Sequence, residues 1–302
     1  MSSQVKTNRA EAMKSVLVFG ASGAIGRFLL PRLVRTGWSV TAVSRFPQAA
    51  QDGIDWRVGD LERAAPAPSG FDAIASCGPL DAFARWFEQA PVGRYARVVA
   101  FGSQSIDSKR ESPDAGERAL VARLADAEQR LFAAAQARGC ACTVLRPTLV
   151  YGAGIDRSLT PLARHATRWR VFPRVPGAYG LRQPVHADDL AAACAHWLAD
   201  GGTGARVYAL GGGERLAFAA MLERVRLSLP VRCVSLPVPL PLVQALASAA
   251  RALGIAATPA AIARLREDLV ADDAPAREQF GWNPRPFRPD PATWGLAARA
   301  PR

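Results

Sequence analysis

Gly20-Ala-Ser-Gly23-Ala-Ile-Gly26 is the stretch of this sequence whose spacing most directly implies chemistry. It follows the apolar run Val16-Leu-Val-Phe19, which reads as a buried strand. It precedes a helical segment that continues through Arg35 and stops at Gly37. In a strand–turn–helix setting, the first glycine permits a tight turn and the second lets a pyrophosphate approach the backbone. The third lets helix and strand pack closely. The pyrophosphate would then rest on a helix N-terminus, where free N–H groups and the helix dipole favour negative charge. Ser44-Arg45 at the end of the second strand is the next informative pair. An acidic residue there would suit the ribose hydroxyls of NAD, whereas a guanidinium suits a 2′-phosphate. The expected cofactor is therefore NADP, with NAD as the alternative; a solvated surface arginine is the competing reading of Arg45. Asp60, in Gly59-Asp60-Leu61, is placed either near an adenine amino group or in a plain turn.

The elements that must position these residues alternate. Strands are expected at Val40–Val43, Trp56–Val58, Phe71–Ala75, Arg97–Phe101 and Cys142–Leu145. A long helix is expected from about Pro113 to Ala137. Strands separated by helices imply parallel βαβ units and a doubly wound α/β sheet. After Gly152 the pattern changes. Residues 155–180 read as a helix plus irregular loop, and 188–200 as a helix with Asp188 near its start. Val207–Leu210 reads as a further strand, followed by amphipathic helices and Pro-rich connections. The expected division is a disordered lead-in at 1–13, a dinucleotide domain at 14–154 to which 181–212 return, and a smaller substrate lobe from 155–180 and 213–302.

Composition narrows the classes. The chain has 302 residues, 49% hydrophobic and 21% charged, which excludes a disordered chain, a collagen, a coiled coil and a disulfide-stapled miniprotein. The net charge is +12; the lysines are Lys6, Lys14 and Lys109, and every other cationic side chain counted is an arginine. The arginines are dispersed, so a phosphate-bearing small molecule is a better expectation than nucleic acid. Cys77, Cys140, Cys142, Cys194 and Cys233 each lie in apolar sequence and read as buried thiols in a reducing compartment. The three histidines do not join them at metal spacing, so no metal site is expected. Residues 1–14 lack the apolar core of a signal peptide, giving a cytoplasmic expectation. Leu236–Leu253 is apolar but broken by Pro237, Pro239 and Pro241, and reads as a loop and packed helix rather than a membrane span, with a membrane-touching surface as the lesser alternative.

Four segments together carry a resemblance: GASGAIG at 20–26, GDL at 59–61, LRPTLVYGAG at 145–154 and RQPVHADDLA at 182–191. In this order, with the terminal Phe280-Gly-Trp-Asn-Pro284, they resemble the extended short-chain dehydrogenase/reductases. More narrowly, they resemble the NAD-dependent epimerase/dehydratase family acting on nucleotide sugars. The resemblance implies a Rossmann domain for cofactor and a C-terminal lobe for substrate. It completes the expected cofactor set of Gly20, Ser22, Gly23, Ala24, Ile25, Gly26, Ser44, Arg45, Asp60, Leu61, Cys77, Gly78 and Pro147. It implies contact of Arg182 with a nucleotide diphosphate, and a homodimer through the long helix. The family also uses a Tyr-x-x-x-Lys pair, and here the chain departs. Four residues beyond Tyr95, Tyr151, Tyr179 and Tyr208 stand Val99, Ile155, Gln183 and Gly212. Aligning Glu128 with the glutamate that follows the pair puts Leu120 and Leu124 in its place. Gln104, flanked by Ser103 and Ser105, occupies the family's Ser/Thr position. Lys109 and Tyr151 are the candidate replacement acid/base groups. The expected function is an NADP-dependent oxidoreductase or epimerase with atypical catalytic residues, acting on a nucleotide-linked sugar. The alternative is a non-catalytic NADP(H)-binding sensor or assembly subunit.

Overall fold

The computed structural model describes residues 13–63, 70–91, 95–200, 202–238 and 264–297. Most of the expected lead-in and the apolar stretch from residue 239 onward lie outside the described residues.

The chain begins with β1 (Ser15–Phe19), α1 (Gly26–Arg35), β2 (Ser39–Ser44), β3 (Ile54–Val58) and β4 (Ala73–Ser76). It continues with α2 (Leu80–Gln89), β5 (Arg97–Phe101), the short α3 (Ser105–Ser108), α4 (Ala115–Ala137) and β6 (Ala141–Pro147). Next come β7 (Val150–Tyr151), α5 (Leu159–Trp169), β8 (Val171–Arg174), β9 (Leu181–Arg182), β10 (Val185–His186) and α6 (Ala187–Asp200). The described chain ends with β11 (Ala205–Leu210), β12 (Leu216–Ala217), α7 (Phe218–Leu227), β13 (Val234–Pro237), α8 (Ala274–Phe280) and a final 3-10 turn at Ala292–Trp294.

Seven strands form one parallel sheet in the order β11-β6-β5-β4-β1-β2-β3. The doubly wound expectation holds. Alternation along β1 shows why both faces are covered: Val16 and Val18 enter one core, Leu17 and Phe19 the other. α1 and α6 cover the first face with Leu29, Leu33, Leu190 and Trp197. α2 and α4 cover the second with Phe83, Phe87 and Leu131. Burying each of these side chains contributes about 2 kcal/mol. β11 pairs with β6 from Ala205↔Cys142 to Leu210↔Pro147 and forms the edge of the sheet. α4 starts at Ala115 rather than Pro113, because the Asp114 side chain accepts a hydrogen bond from the Glu117 N–H at 3.0 Å and caps the first turn.

A third core of Tyr151, Phe172, Met221, Val225, Phe287 and Trp294 lies among α5, α7 and the final turn. Arg182 on β9 ties it to the segment after residue 263. Its guanidinium donates to the carbonyls of Leu181, Glu267 and Arg264 at 2.8, 2.8 and 2.6 Å.

Candidate functional site

The strand order reverses between β4 and β2 around β1, so ligands of such sheets are expected beyond the C-terminal end of β1. The glycine turn stands there. Gly20 has φ +65°, and a Cβ on it would lie 2.7 Å from the backbone of Cys77 and Gly78. Gly23 donates its N–H to the Gly20 carbonyl at 2.9 Å, closing the turn. A Cβ on Gly26 would stand 2.3 Å from the Ala21 carbonyl oxygen and 2.6 Å from that of Gly20. Among the described residues, the N–H groups of Ser22, Ala24, Ile25 and Gly26 find no acceptor, leaving a row of donors at the start of α1.

The structure brings much of the expected cofactor set to this turn. The hydroxyls of Ser22 and Ser44 lie 3.1 Å apart, and Ser44 also accepts from the Phe46 N–H. Arg45 is exposed and has no ion pair or hydrogen bond among the described residues. The Leu61 Cδ1 stands 3.3 Å from where a Gly78 Cβ would be. Asp60 accepts from the Glu62 N–H at 2.8 Å, the turn geometry weighed in its sequence. Burial pushes the Cys77 thiol up to about 12. Pro147 accepts the Gln104 N–H at 3.1 Å, joining the ends of β5 and β6.

Two polar atoms at these strand ends are buried without a hydrogen-bond partner: Ser76 Oγ at the end of β4 and Gln104 Oε1 beyond β5. Composition and motif matching did not single out Ser76. Its signal is positional, being the last residue of the apolar run before Cys77-Gly78.

The candidate acid/base groups fall into separate environments. Ser103 Oγ accepts the Ser105 N–H at 3.2 Å and so starts α3. Lys109 is ion-paired: its Nζ lies 3.3 Å from Glu117 Oε1. Tyr151 is buried, ring-edge against His186 and Phe287 at centroid distances of 5.0 and 4.8 Å. Burial, reinforced by the charge of Asp189, pushes its phenol upward. None of these Tyr151 contacts involves Ser103, Gln104, Ser105 or Lys109. Leu120 and Leu124 lie half-buried on α4. One turn beyond, buried Glu128 takes two charge-assisted hydrogen bonds from Arg146 of β6, which also reaches Asp107 at 3.2 Å. His186 Nδ1 accepts the Asp188 N–H at 3.1 Å and sets the start of α6. Arg285 holds both Asp188 and Asp189 at 2.7 Å. Among the described residues no group of side chains could hold a metal ion.

A second enclosed charge cluster is not visible in the sequence. Glu117, in the first turn of α4, receives both guanidinium nitrogens of Arg264, the Ser112 hydroxyl and the Lys109 ammonium. The Arg264 hydrogen bonds come first among the causes that hold its carboxyl down at about 2, against an opposing effect of burial. Asp114-x-x-Glu117 is a visible helix-start pattern, but nothing in the sequence announces a partner so far along the chain.

No family model matches the sequence, and no curated protein does. Solved structures do. MoeE5, solved with UDP-glucuronic acid and NAD, superposes with a TM-score of 0.67 at 20% identity, over 93% of this chain and 97% of its own. The UDP-glucose 4-epimerase of Thermus thermophilus, solved with NAD, gives 0.66 at 16% identity, over 93% and 97%. The UDP-N-acetylglucosamine 4-epimerase of Bacillus cereus gives 0.65 at 11%, over 93% and 94%. The chain has the Rossmann-like α/β fold of these structures. At these identities the likeness is one of fold.

Proposed function

We propose that this protein binds a nicotinamide dinucleotide on the Gly20–Gly26 turn and acts as an oxidoreductase or epimerase on a nucleotide-linked sugar. One observation carries the reading: the turn leaves no space for a Cβ at Gly20 or Gly26 and presents a row of free N–H groups where a pyrophosphate would lie. The residues fit the group, so the N–H groups of Ser22, Ala24, Ile25 and Gly26 would hold the pyrophosphate, with Gly23 letting it approach the backbone. Ser44, Arg45, Asp60 and Leu61 would border the adenosine half, and Cys77, Gly78 and Pro147 the path to the nicotinamide. A bound nicotinamide supplies hydride donation and acceptance. The UDP-sugars and NAD of the fold neighbours support this substrate and cofactor class. Ser103, Gln104 and Ser105 are the groups proposed to polarise the reacting carbonyl or hydroxyl, and Lys109 and Tyr151 remain the proposed acid/base candidates. Arg182 is assigned a positioning role, because its guanidinium serves three backbone carbonyls. The proposal keeps the division into a dinucleotide domain and a substrate lobe, a homodimer through α4, and a cytoplasmic setting.

NADP is the proposed nucleotide, because Arg45 is exposed and has no partner among the described residues. A fluorescence titration of the purified protein tests this. NADPH should bind tightly, and Arg45→Ala should weaken it about tenfold, the loss of one or two charge-assisted hydrogen bonds, while leaving NADH unchanged. Equal weakening of both, or none, removes the NADP preference. Absence of binding by either nucleotide removes the whole reading.

Leu120 and Leu124 favour a second reading, a non-catalytic NADP(H)-dependent sensor or assembly subunit. Under the enzyme reading, the purified protein oxidises NADPH or interconverts a member of a UDP-sugar panel. Under the second, it binds nucleotide without turnover. In either case Leu120→Tyr with Leu124→Lys should leave nucleotide affinity within about twofold, because the donors lie in the Gly20–Gly26 turn rather than on α4.

A further inference from the structure

Away from the nucleotide turn, α5, β8 and β13 bring several exposed large apolar side chains together. β8 and β13 pair in parallel as Val171↔Val234 and Leu236↔Pro173. Side chains alternate across a strand, so Val171, Val234 and Leu236 share one face while Phe172 is buried beneath it. That face is open to solvent: Val171 is 42% exposed, Val234 70% and Leu236 53%. Trp169, at the end of α5 and two residues before Val171, is 66% exposed. Its ring carries the Arg168 guanidinium at 5.4 Å. Arg168, Arg170 and Arg232, all exposed, are the sequence neighbours of these apolar groups, whereas Arg174 falls by the same alternation on the Phe172 side, beside Glu223. Between Arg157 and Arg174 the sequence has no acidic residue, and none between Arg224 and Arg266. Three carboxylates nearby are already engaged. Asp290, which lines a cavity with Arg232, accepts from the Thr293 N–H and hydroxyl at 2.8 and 2.7 Å. Asp156 accepts from the Leu159 N–H at 2.7 Å at the start of α5, and Glu223 pairs with Arg226 at 2.6 Å.

We propose that the α5–β8–β13 face is a peripheral membrane-docking surface for anionic phospholipid, with Trp169, Val171, Val234 and Leu236 entering the headgroup boundary and the surrounding arginines meeting lipid phosphate. Contiguous exposed apolar groups mark interaction sites. Tryptophan with flanking arginine is the composition that settles at a membrane–water interface, and arginine clusters add attraction to anionic lipid. No helix among the described residues is long and apolar enough to cross a membrane, so the attachment proposed is to the surface.

Co-sedimentation of the full-length protein with vesicles tests this. The protein should pellet with vesicles containing phosphatidylglycerol, pellet weakly with phosphatidylcholine alone, and be released at about 0.5 M salt. Val234→Glu with Leu236→Glu should lower partitioning about tenfold or more. Val58→Glu, which places a carboxylate at a residue 62% exposed on the far edge strand, should bind as the parent does. Thermal unfolding of each variant confirms that the fold is retained. Three results overturn the proposal: no pelleting with anionic vesicles at low salt, equal pelleting of the double variant, or a solution dimer that the double variant dissociates while vesicle binding is absent.

Discussion

Gly26→Ala should lower affinity for a nicotinamide dinucleotide by about 100-fold, or about 3 kcal/mol. The added methyl would stand 2.3 Å from the Ala21 carbonyl oxygen and 2.6 Å from the Gly20 carbonyl oxygen. Both obstacles are backbone, so no side chain can swing away. The turn must widen, carrying with it the Ala24 and Ile25 N–H groups that would face a pyrophosphate. Crowding of this kind costs about 1–3 kcal/mol of stability, so the melting temperature should also fall. Gly23→Ala provides the graded comparison. Its Cβ would meet the Gly20 carbonyl oxygen at 3.0 Å, a smaller intrusion. The expected order of affinity is parent, then Gly23→Ala, then Gly26→Ala, read by the same fluorescence titration on folded protein. If Gly26→Ala binds within threefold of the parent, the turn is not where the nucleotide sits.

How much of this is legible in the sequence differs by the range of the interactions involved. The turn is legible because its chemistry is local: three glycines, one apolar strand and one helix start within a dozen residues. The parallel sheet follows from the alternation of elements, and even the late return of Val207–Leu210 is visible as an isolated β run. Helix α2 is not evident there, since Leu80–Gln89 follows a Gly-Pro pair that suggests only a turn. Its place comes from Phe83 and Phe87 packing beneath the sheet against α4. Arg182 shows the opposite limit. Its motif suggests a phosphate contact, yet its surroundings are carbonyls supplied by residues more than eighty positions away. Sequence spacing reports which side chains share an element, not which distant backbone groups converge on one guanidinium. The Leu120 and Leu124 positions are legible as a departure, but the groups gathered nearest them are not. Glu128 with Arg146, and Glu117 with Arg264, become pairs only when α4 is laid against β6 and the late segment of the chain.

Glu117→Gln should destabilise the protein by about 3–5 kcal/mol, the range expected when one partner of a buried ion pair is removed. The pair is enclosed: the Glu117 side chain is 11% exposed and that of Arg264 9%. A glutamine keeps the shape but removes the charge that holds the Arg264 guanidinium and the Lys109 ammonium. The effect should depend on pH in a stated direction. The folded carboxyl is held at about 2, against 4.5 for the ordinary group. A depressed carboxyl stabilises the fold fully above the unfolded value, and that contribution is lost as pH falls through the interval toward the folded one. The shift corresponds to about 3 kcal/mol. Other carboxylates titrate in the same range, so the informative quantity is the difference between parent and variant in urea unfolding free energy. It should be largest and flat from about pH 7 to 5, then shrink steadily between about pH 5 and 2. A difference that does not change with pH would mean that Glu117 supports the fold by packing alone. Because Arg264 also offers its carbonyl to Arg182, the variant should loosen the 264–269 segment first. Hydrogen exchange should report this at Leu269, whose N–H is held by the Leu181 carbonyl at 2.8 Å.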